Sequence, residues 1–417
     1  MKKHFLSFIA GLFVLVIASC GKSDTAEPST AGTGTVEPTP TNPTNSGITD
    51  PVFSKEVTGS AFAACVDDNK NIFVLGYFGP QYQTKFKIYK LTPNGAIDKS
   101  FDIDKDKTWS DNLPSRISMI ALPQGKILIS GSFKVDGVSK FLIRLNADGS
   151  IDKSYTPTTR ITSVNTLVKL TGGRIAVLGR NTFANGFGEA HFFSLNELGE
   201  YDRNNGFRIQ DDNTVLLDLI ESKSGKIYLS GFFRLSAGKS TTYSIARFNP
   251  ADLTIDESFA QVQDYRSLGQ NAIELNGSII KMVEQSDGKI IIGGSFDKFY
   301  IPNTRDNITN YHQVARLNTD GSIDATFKNN NNYTSDLSAL VGTSSDQLLL
   351  GRHLSLTASQ GERYLELLDK NGNISPTFKL GMEGTSIAGI VRQDNNNFIV
   401  FGAFGYDNNP ALYRVKL

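Results

Sequence analysis

The 417-residue sequence predicts an all-β fold in which four-stranded antiparallel units repeat around a closed ring. Three observations predict it. A glycine ends a short apolar run at Gly76, Gly131, Gly179, Gly231, Gly294, Gly351 and Gly402, in steps of 55, 48, 52, 63, 57 and 51 residues. A second phrase follows the anchors, with near copies at "RLNADGSIDKSY" (Arg144–Tyr155) and "RLNTDGSIDATF" (Arg316–Phe327). Asp-Gly and Asn-Gly turns punctuate the chain, and apolar residues never fall into helical spacing. A period near fifty residues marks a repeat architecture, not a string of separate domains. Four-stranded antiparallel units at that period are what propeller blades look like, here seven of them.

The elements follow in chain order. Residues 1–19 begin with Lys2 and Lys3 and continue into the apolar "FLSFIAGLFVLVIAS", the pattern of a secretory signal. "IASC" then resembles the bacterial lipobox, which implies lipidation of Cys20 and, with Gly21 next, an outer-membrane destination. A plain signal peptide or an uncleaved anchor is the alternative. Residues 20–47 are a Thr/Pro/Gly/Asn linker, too poor in apolar groups to offset ordering entropy and stiffened by proline. "DTA" (Asp24–Ala26) resembles a short O-glycosylation acceptor of Bacteroidetes.

Residues 48–417 hold the repeats. In the fifth unit strand A is "IIKMVEQ", strand B "KIIIGGSF", strand C "QVARLN" and strand D "SIDATF". Strand B is apolar without alternation, as expected of a strand buried on both faces. Two-residue hairpins are expected at the glycine turns, because these residues accept positive φ. The last unit stops at "ALYRVKL" (Ala411–Leu417) with no D phrase after it, whereas "ITDPVF" (Ile48–Phe53) carries a spare one before the first unit. The N-terminal strand is therefore expected to join the last blade and close the ring, removing an exposed edge.

The "DGKIIIGGSF" and "RLNTDGSIDATF" phrases resemble those of the delta-sixty repeat β-propellers. The resemblance covers about residues 48–417 and is weakest in units three, six and seven. It implies a propeller and no established activity. The tether and the repeats together suggest a Bacteroidetes-type outer-membrane lipoprotein.

Charge is balanced at 42 basic and 42 acidic residues, which gives no footprint for nucleic acid. Apart from Cys20 the one cysteine is Cys65, so a large core has to supply the stability. The four histidines are too scattered for a metal-ligand pattern, and no cofactor is expected. "DIDKDKTW" fails as a calcium loop, since Lys107 stands where glycine is needed. "AGKST" fails as a phosphate loop, since Phe233 stands at the first glycine. The recurring Asp of "IDxSF" reads as a structural turn.

By strand parity, A–B and C–D turns lie on one face and stay short. The long connections fall on the other face: Asp102–Ser115, Ala260–Gly277 and Asp297–Gln313. Such loops are functional more often than ordinary connectors are. They offer Trp109, Tyr265, Arg266, Tyr300, Arg305, Asp306, Tyr311 and His312, a mix suited to a sugar or peptide. Local loop packing is the plainer explanation for each. The expectation is a monomeric, non-catalytic binding or scaffold module that is membrane-tethered through Cys20 and takes a glycan, peptide or envelope protein. The alternative is a glycan hydrolase or lyase working in the central mouth.

Overall fold

In the computed structural model the described residues are 49–50, 53–79, 85–105, 117–157, 160–182, 189–201, 214–234, 242–250, 254–260, 262–264, 274–296, 298–300, 308–310, 313–328, 336–353, 365–378, 386–404 and 409–417. The signal and linker expected over residues 1–47 lie outside them. The chain divides into Met1–Thr44 and Asn45–Leu417, and the second unit is described here.

Its strands form antiparallel meanders of three. The first holds β1 (Gly59–Val66), β2 (Ile72–Phe78) and β3 (Lys85–Leu91). The second holds β4 (Met119–Ala121), β5 (Ile127–Val135) and β6 (Val138–Leu145). The third holds β7 (Arg160–Lys169), β8 (Ile175–Thr182) and β9 (Glu189–Leu195). The fourth, β10 (Val215–Glu221), β11 (Ile227–Phe233) and β12 (Tyr243–Phe248), is followed by β13 (Val262–Asp264) and β14 (Glu274–Leu275). The fifth is β15 (Ile279–Glu284), β16 (Ile290–Gly294) and β19 (Val314–Leu317), interrupted by β17 (Lys298–Tyr300) and β18 (Ile308–Asn310). The sixth is β20 (Leu337–Gly342), β21 (Leu348–Arg352) and β22 (Leu365–Leu368). The seventh is β23 (Ser386–Arg392), β24 (Asn397–Ala403) and β25 (Leu412–Lys416).

First strands of successive meanders pack in a circuit: β1 on β4, β4 on β7, β7 on β10, β10 on β15, β15 on β20, β20 on β23, and β23 back on β1. They make the inner wall. The middle strands explain the unbroken apolar runs. Ile290 and Ile292 join a cluster with Tyr228 and Phe259 of the fourth meander. Ile291, between them, faces Leu337, Leu340 and Leu350 of the sixth. All three isoleucines are fully buried, each contributing about 1.5–3 kcal/mol by leaving water.

The anchor glycine is needed for close approach. A Cβ at Gly294 would stand 1.9 Å from the Ser278 carbonyl oxygen, and one at Gly402 2.1 Å from that of Ser386. Inner strands bulge near this point, as between Ile279 and Lys281 or between Ile387 and Gly389, which brings the carbonyl over the glycine.

Two sequence expectations change in detail. The glycine turns are not two-residue hairpins: in a C–D turn Gly149 N–H donates to Asn146 O and Asn146 N–H to Ser150 O, a three-residue loop with Gly149 at φ +90°, and in an A–B turn Gly288 N–H donates to Gln285 O and Gln285 N–H to Lys289 O. Strand D is mostly not a strand. It makes one bridge, such as Leu145 to Ile151 or Leu317 to Ile323, and then turns. The cause is the Asp. Asp324 Oδ1 accepts both the backbone N–H and the hydroxyl of Thr326, at 2.9 and 2.6 Å, and folds the chain back so that Phe327 enters the core. Only the fourth meander, among the described residues, continues into a strand, where β13 pairs with β12.

The N-terminal segment occupies the matching place beside the seventh meander. Thr49 bridges Val415, Asp50 N–H donates to Arg414 O, and Phe53 N–H donates to Asp50 O. The same two backbone bonds run from Asp324 to Arg316 and from Phe327 to Asp324.

Candidate functional site

The repeated Asp and Arg are the strongest electrostatic feature, and they are structural. Asp324 Oδ2 accepts from Arg316 Nε at 2.8 Å and from Lys289 Nζ at 2.7 Å. Asp152 does the same with Arg144 and Lys126, and Asp256 with Arg247 and Lys226. Burial alone would raise the pKa of Asp152 and Asp324. Hydrogen bonds from Lys126 and Ser154, or Lys289 and Thr326, with the arginine charge, outweigh it and hold both carboxyls well below the usual range. Asp98 falls to about 2 through hydrogen bonds from Lys90 and Ser100.

Each arginine also reaches forward. Arg316 lies over the Phe327 ring and donates through Nη1 to Lys370 O of the next meander at 2.6 Å. Arg144 donates to Glu197 O, Arg247 to Thr319 O and Arg414 to Pro93 O. These are staples between neighbours, and the last joins the end of the chain to its first meander. The sequence marked the Asp as a turn residue but not the Arg, whose carbonyl partner lies 53 residues away at the nearest and 321 at the farthest.

The opposite face carries the long connections. Two of the three proposed from sequence meet in one added sheet. β13 and β14 come from Ala260–Gly277, and β17 and β18 from Asp297–Gln313. The order is β12-β13-β14-β17-β18, with β13 and β14 parallel. Leu275 lies opposite Phe299 in the register, both are fully buried, and the Phe299 ring meets Phe296 edge to face at 5.4 Å. Asn276 Oδ1 accepts from Lys298 N–H at 2.8 Å. Tyr300 belongs to β17 by its backbone, opposite Glu274 and Ile308. Trp109, Tyr265, Arg266, Arg305, Asp306, Tyr311 and His312 lie outside the described residues, as do Cys20 and the Tyr300 side chain.

A second group of polar residues gathers at the inner ends of the fifth to seventh meanders, on the same face. Arg352, at the end of β21, is 1% exposed; its Nη1 donates to Gln313 Oε1 at 2.5 Å and its Nε faces Glu366 at 3.4 Å. The next residue, His353, bridges Ser386 at the start of β23, and its Nδ1 is hydrogen-bonded to Ser386 Oγ. His353 N–H donates to Asp336 O, just before β20, at 3.0 Å. Desolvation lowers the His353 pKa, and the Asp336 charge opposes that shift. No motif joins residues 336, 353 and 386 in sequence, so only the packing of inner strands brings them together.

The "DIDK" stretch (Asp102–Lys105) forms a local turn: Asp102 Oδ1 accepts from Asp104 N–H, and Asp104 pairs with Lys87 at 3.5 Å. Cys65 is buried, and desolvation followed by the nearby Asp67 pushes its thiol pKa up, away from reactivity.

Residues 69–101, 122–155, 223–259 and 285–327 match the family model described as "Domain of unknown function (DUF5122) beta-propeller". No curated protein matches the chain. Among solved structures, puromycin hydrolase is similar over 86% of this chain and 52% of its own, at 11% identity and a TM-score of 0.51. The extracellular domain of a hybrid two-component system from B. thetaiotaomicron is similar over 88% and 39%, at 11% identity and 0.48. YCF48 bound to D1 peptide is similar over 87% and 94%, at 10% identity and 0.45. The chain thus spans about half or less of the first two structures, and at these identities the likeness concerns fold alone. The body is all-β and propeller-like, with four of its repeats matching a β-propeller family model.

Proposed function

We propose that this protein is a lipid-tethered β-propeller that binds an envelope ligand (a glycan, a peptide or a partner protein) through its loop-rich face. On this reading it is a delta-sixty repeat lipoprotein of the Bacteroidetes type, anchored at Cys20 in the outer membrane. Its ring has seven blades, with the Asp-turn phrase as the fourth segment of each and residues 48–56 supplying that segment to the last.

The added sheet carries the binding reading. Ordering each backbone residue costs about 1–2 kcal/mol. The two longest connections are nonetheless drawn into one sheet and pinned by buried Leu275 and Phe299. A slack insertion needs no such anchoring, whereas a platform for ligand contacts does. Tyr300 sits on its hairpin, and Tyr311 follows the same hairpin in sequence.

Replacing Trp109, Tyr300 and Tyr311 together by alanine should abolish capture of the ligand from an envelope extract. On this reading the melting temperature should stay nearly unchanged, because surface substitutions cost within about 0.5 kcal/mol, whereas aromatic anchors dominate binding. Normal capture by the triple variant places the ligand elsewhere. The anchor has its own test. Cys20→Ala should abolish labelling by a palmitate analogue, since only the thiol takes the lipid, and undiminished labelling overturns the tether.

A further inference from the structure

We propose that Ser386 and His353 form a nucleophile–base pair that transfers the acyl group of an exposed carboxylic ester, on the inner rim of the loop-rich face. The inference does not depend on the added sheet binding anything. It rests on three strand ends meeting: residue 336 before β20, residue 353 after β21 and residue 386 opening β23. A serine hydroxyl is a weak nucleophile on its own and needs a base within hydrogen-bonding reach, itself held in place by further contacts. His353 Nδ1 is within that reach of Ser386 Oγ. The His353 backbone is fixed on both sides, by its bridge to Ser386 and by its N–H bond to Asp336 O. The preceding residue, Arg352, is fully buried and tied to Gln313 and Glu366, which anchors the strand end.

The side-chain pair is not required for the strands to meet. At the next junction around the inner wall, β24 reaches β1 through Ala403 opposite Ser60, and Ala403 offers only a methyl group. His353 is exposed and Ser386 half-buried, so a substrate carbonyl can approach from solvent. Partial desolvation lowers the His353 pKa and so favours the neutral imidazole a base needs, while the Asp336 charge favours the imidazolium that forms during reaction.

The chemistry balances without any cofactor. Ser386 Oγ bonds to the ester carbon as its proton passes to His353 Nδ1. The tetrahedral adduct collapses, the carbon–alkoxy bond breaks, and the departing alcohol takes the proton from His353. Water then adds to the acyl-serine, giving a proton to Nδ1. The carboxylic acid leaves as Ser386 Oγ regains that proton.

The test treats the full chain with a fluorophosphonate probe and, separately, with p-nitrophenyl acetate. Mass spectrometry should place one phosphonyl adduct on Ser386, with none in Ser386→Ala. His353→Gln should slow both labelling and ester hydrolysis by about 100-fold or more. Asp336→Asn should shift the pKa read from the pH–rate profile downward, since it removes the charge that favours imidazolium; Arg352 and Glu366, charged residues paired at the same strand end, remain. An unlabelled Ser386 in the unmodified chain, or equal labelling rates for His353→Gln, reduces the pair to a strand-end contact and overturns the proposal.

Discussion

Deleting Ile48–Glu56 should destabilise the body severely, while truncation at Gly47, one residue short of that segment, should leave it unchanged. The segment fills a place that the first, second, fourth and fifth meanders fill with their own Asp turns. Phe53 is 2% exposed and packs against Gly95, where even a Cβ would come within 2.6 Å of its ring. Arg414 lies 4.7 Å over that ring and pairs with Asp50. Ser54 Oγ donates to Leu412 O at 3.0 Å. Phe327 likewise packs against Gly372 at the junction of the fifth and sixth meanders. Losing a buried phenylalanine costs about 3–5 kcal/mol, a large share of the 5–15 kcal/mol that holds a typical domain together. Melting curves and solubility of the two truncations should therefore diverge, and coinciding curves would show that the segment contributes nothing.

Asp324→Ala should cost about 3–5 kcal/mol, because it leaves the buried Arg316 guanidinium uncompensated and half-buried Lys289 without its partner. The exposed Asp287, 3.9 Å from Lys289, cannot replace it, and Asp287→Ala should be nearly silent. Acid tests the same staples collectively. Asp98, Asp152, Asp256 and Asp324 all have carboxyls lowered on folding. Lowered carboxyls stabilise fully above the unfolded value near 3.9 and lose that contribution as pH falls toward the folded values. The melting temperature should be level from pH 7 to about 5 and drop steeply below about 4. A level profile down to pH 2 would mean that the staples carry little stability.

The repeat was legible because its cause is local. Gly294 must be glycine wherever a neighbouring carbonyl crosses it, and Ile290–Ile292 must be apolar wherever both flanks are sheets. "SIDATF" misled as a strand because Ile323 does bridge Leu317; what ends the strand is the Asp324 carboxylate capping its own chain two residues on, which alternation of apolar residues does not encode. The meeting of β14 with β17 was beyond reach, since two loops of irregular composition pair only once the fourth and fifth meanders lie side by side. His353 and Ser386 are 33 positions apart with no shared motif, and only inner-strand packing joins them. Arg316 read as half of a repeated phrase; that it holds the next meander through Lys370 O shows only in three dimensions.

The Ser54–Leu412 bond spans 358 positions, and a contact of that range predicts an order of folding. Residues 49–57 leave the ribosome hundreds of residues before β25, the strand they need. Among the described residues the first, second, fourth and fifth meanders fill that place with their own Asp turns, at Asp98, Asp152, Asp256 and Asp324. The first part of the body to be made is thus the last to be seated. Contacts of such long range are slow to form, since the loop entropy is lost before the contact repays it. Refolding should show local meanders appearing early and one late step, and that step should vanish from the kinetics when β25 is removed.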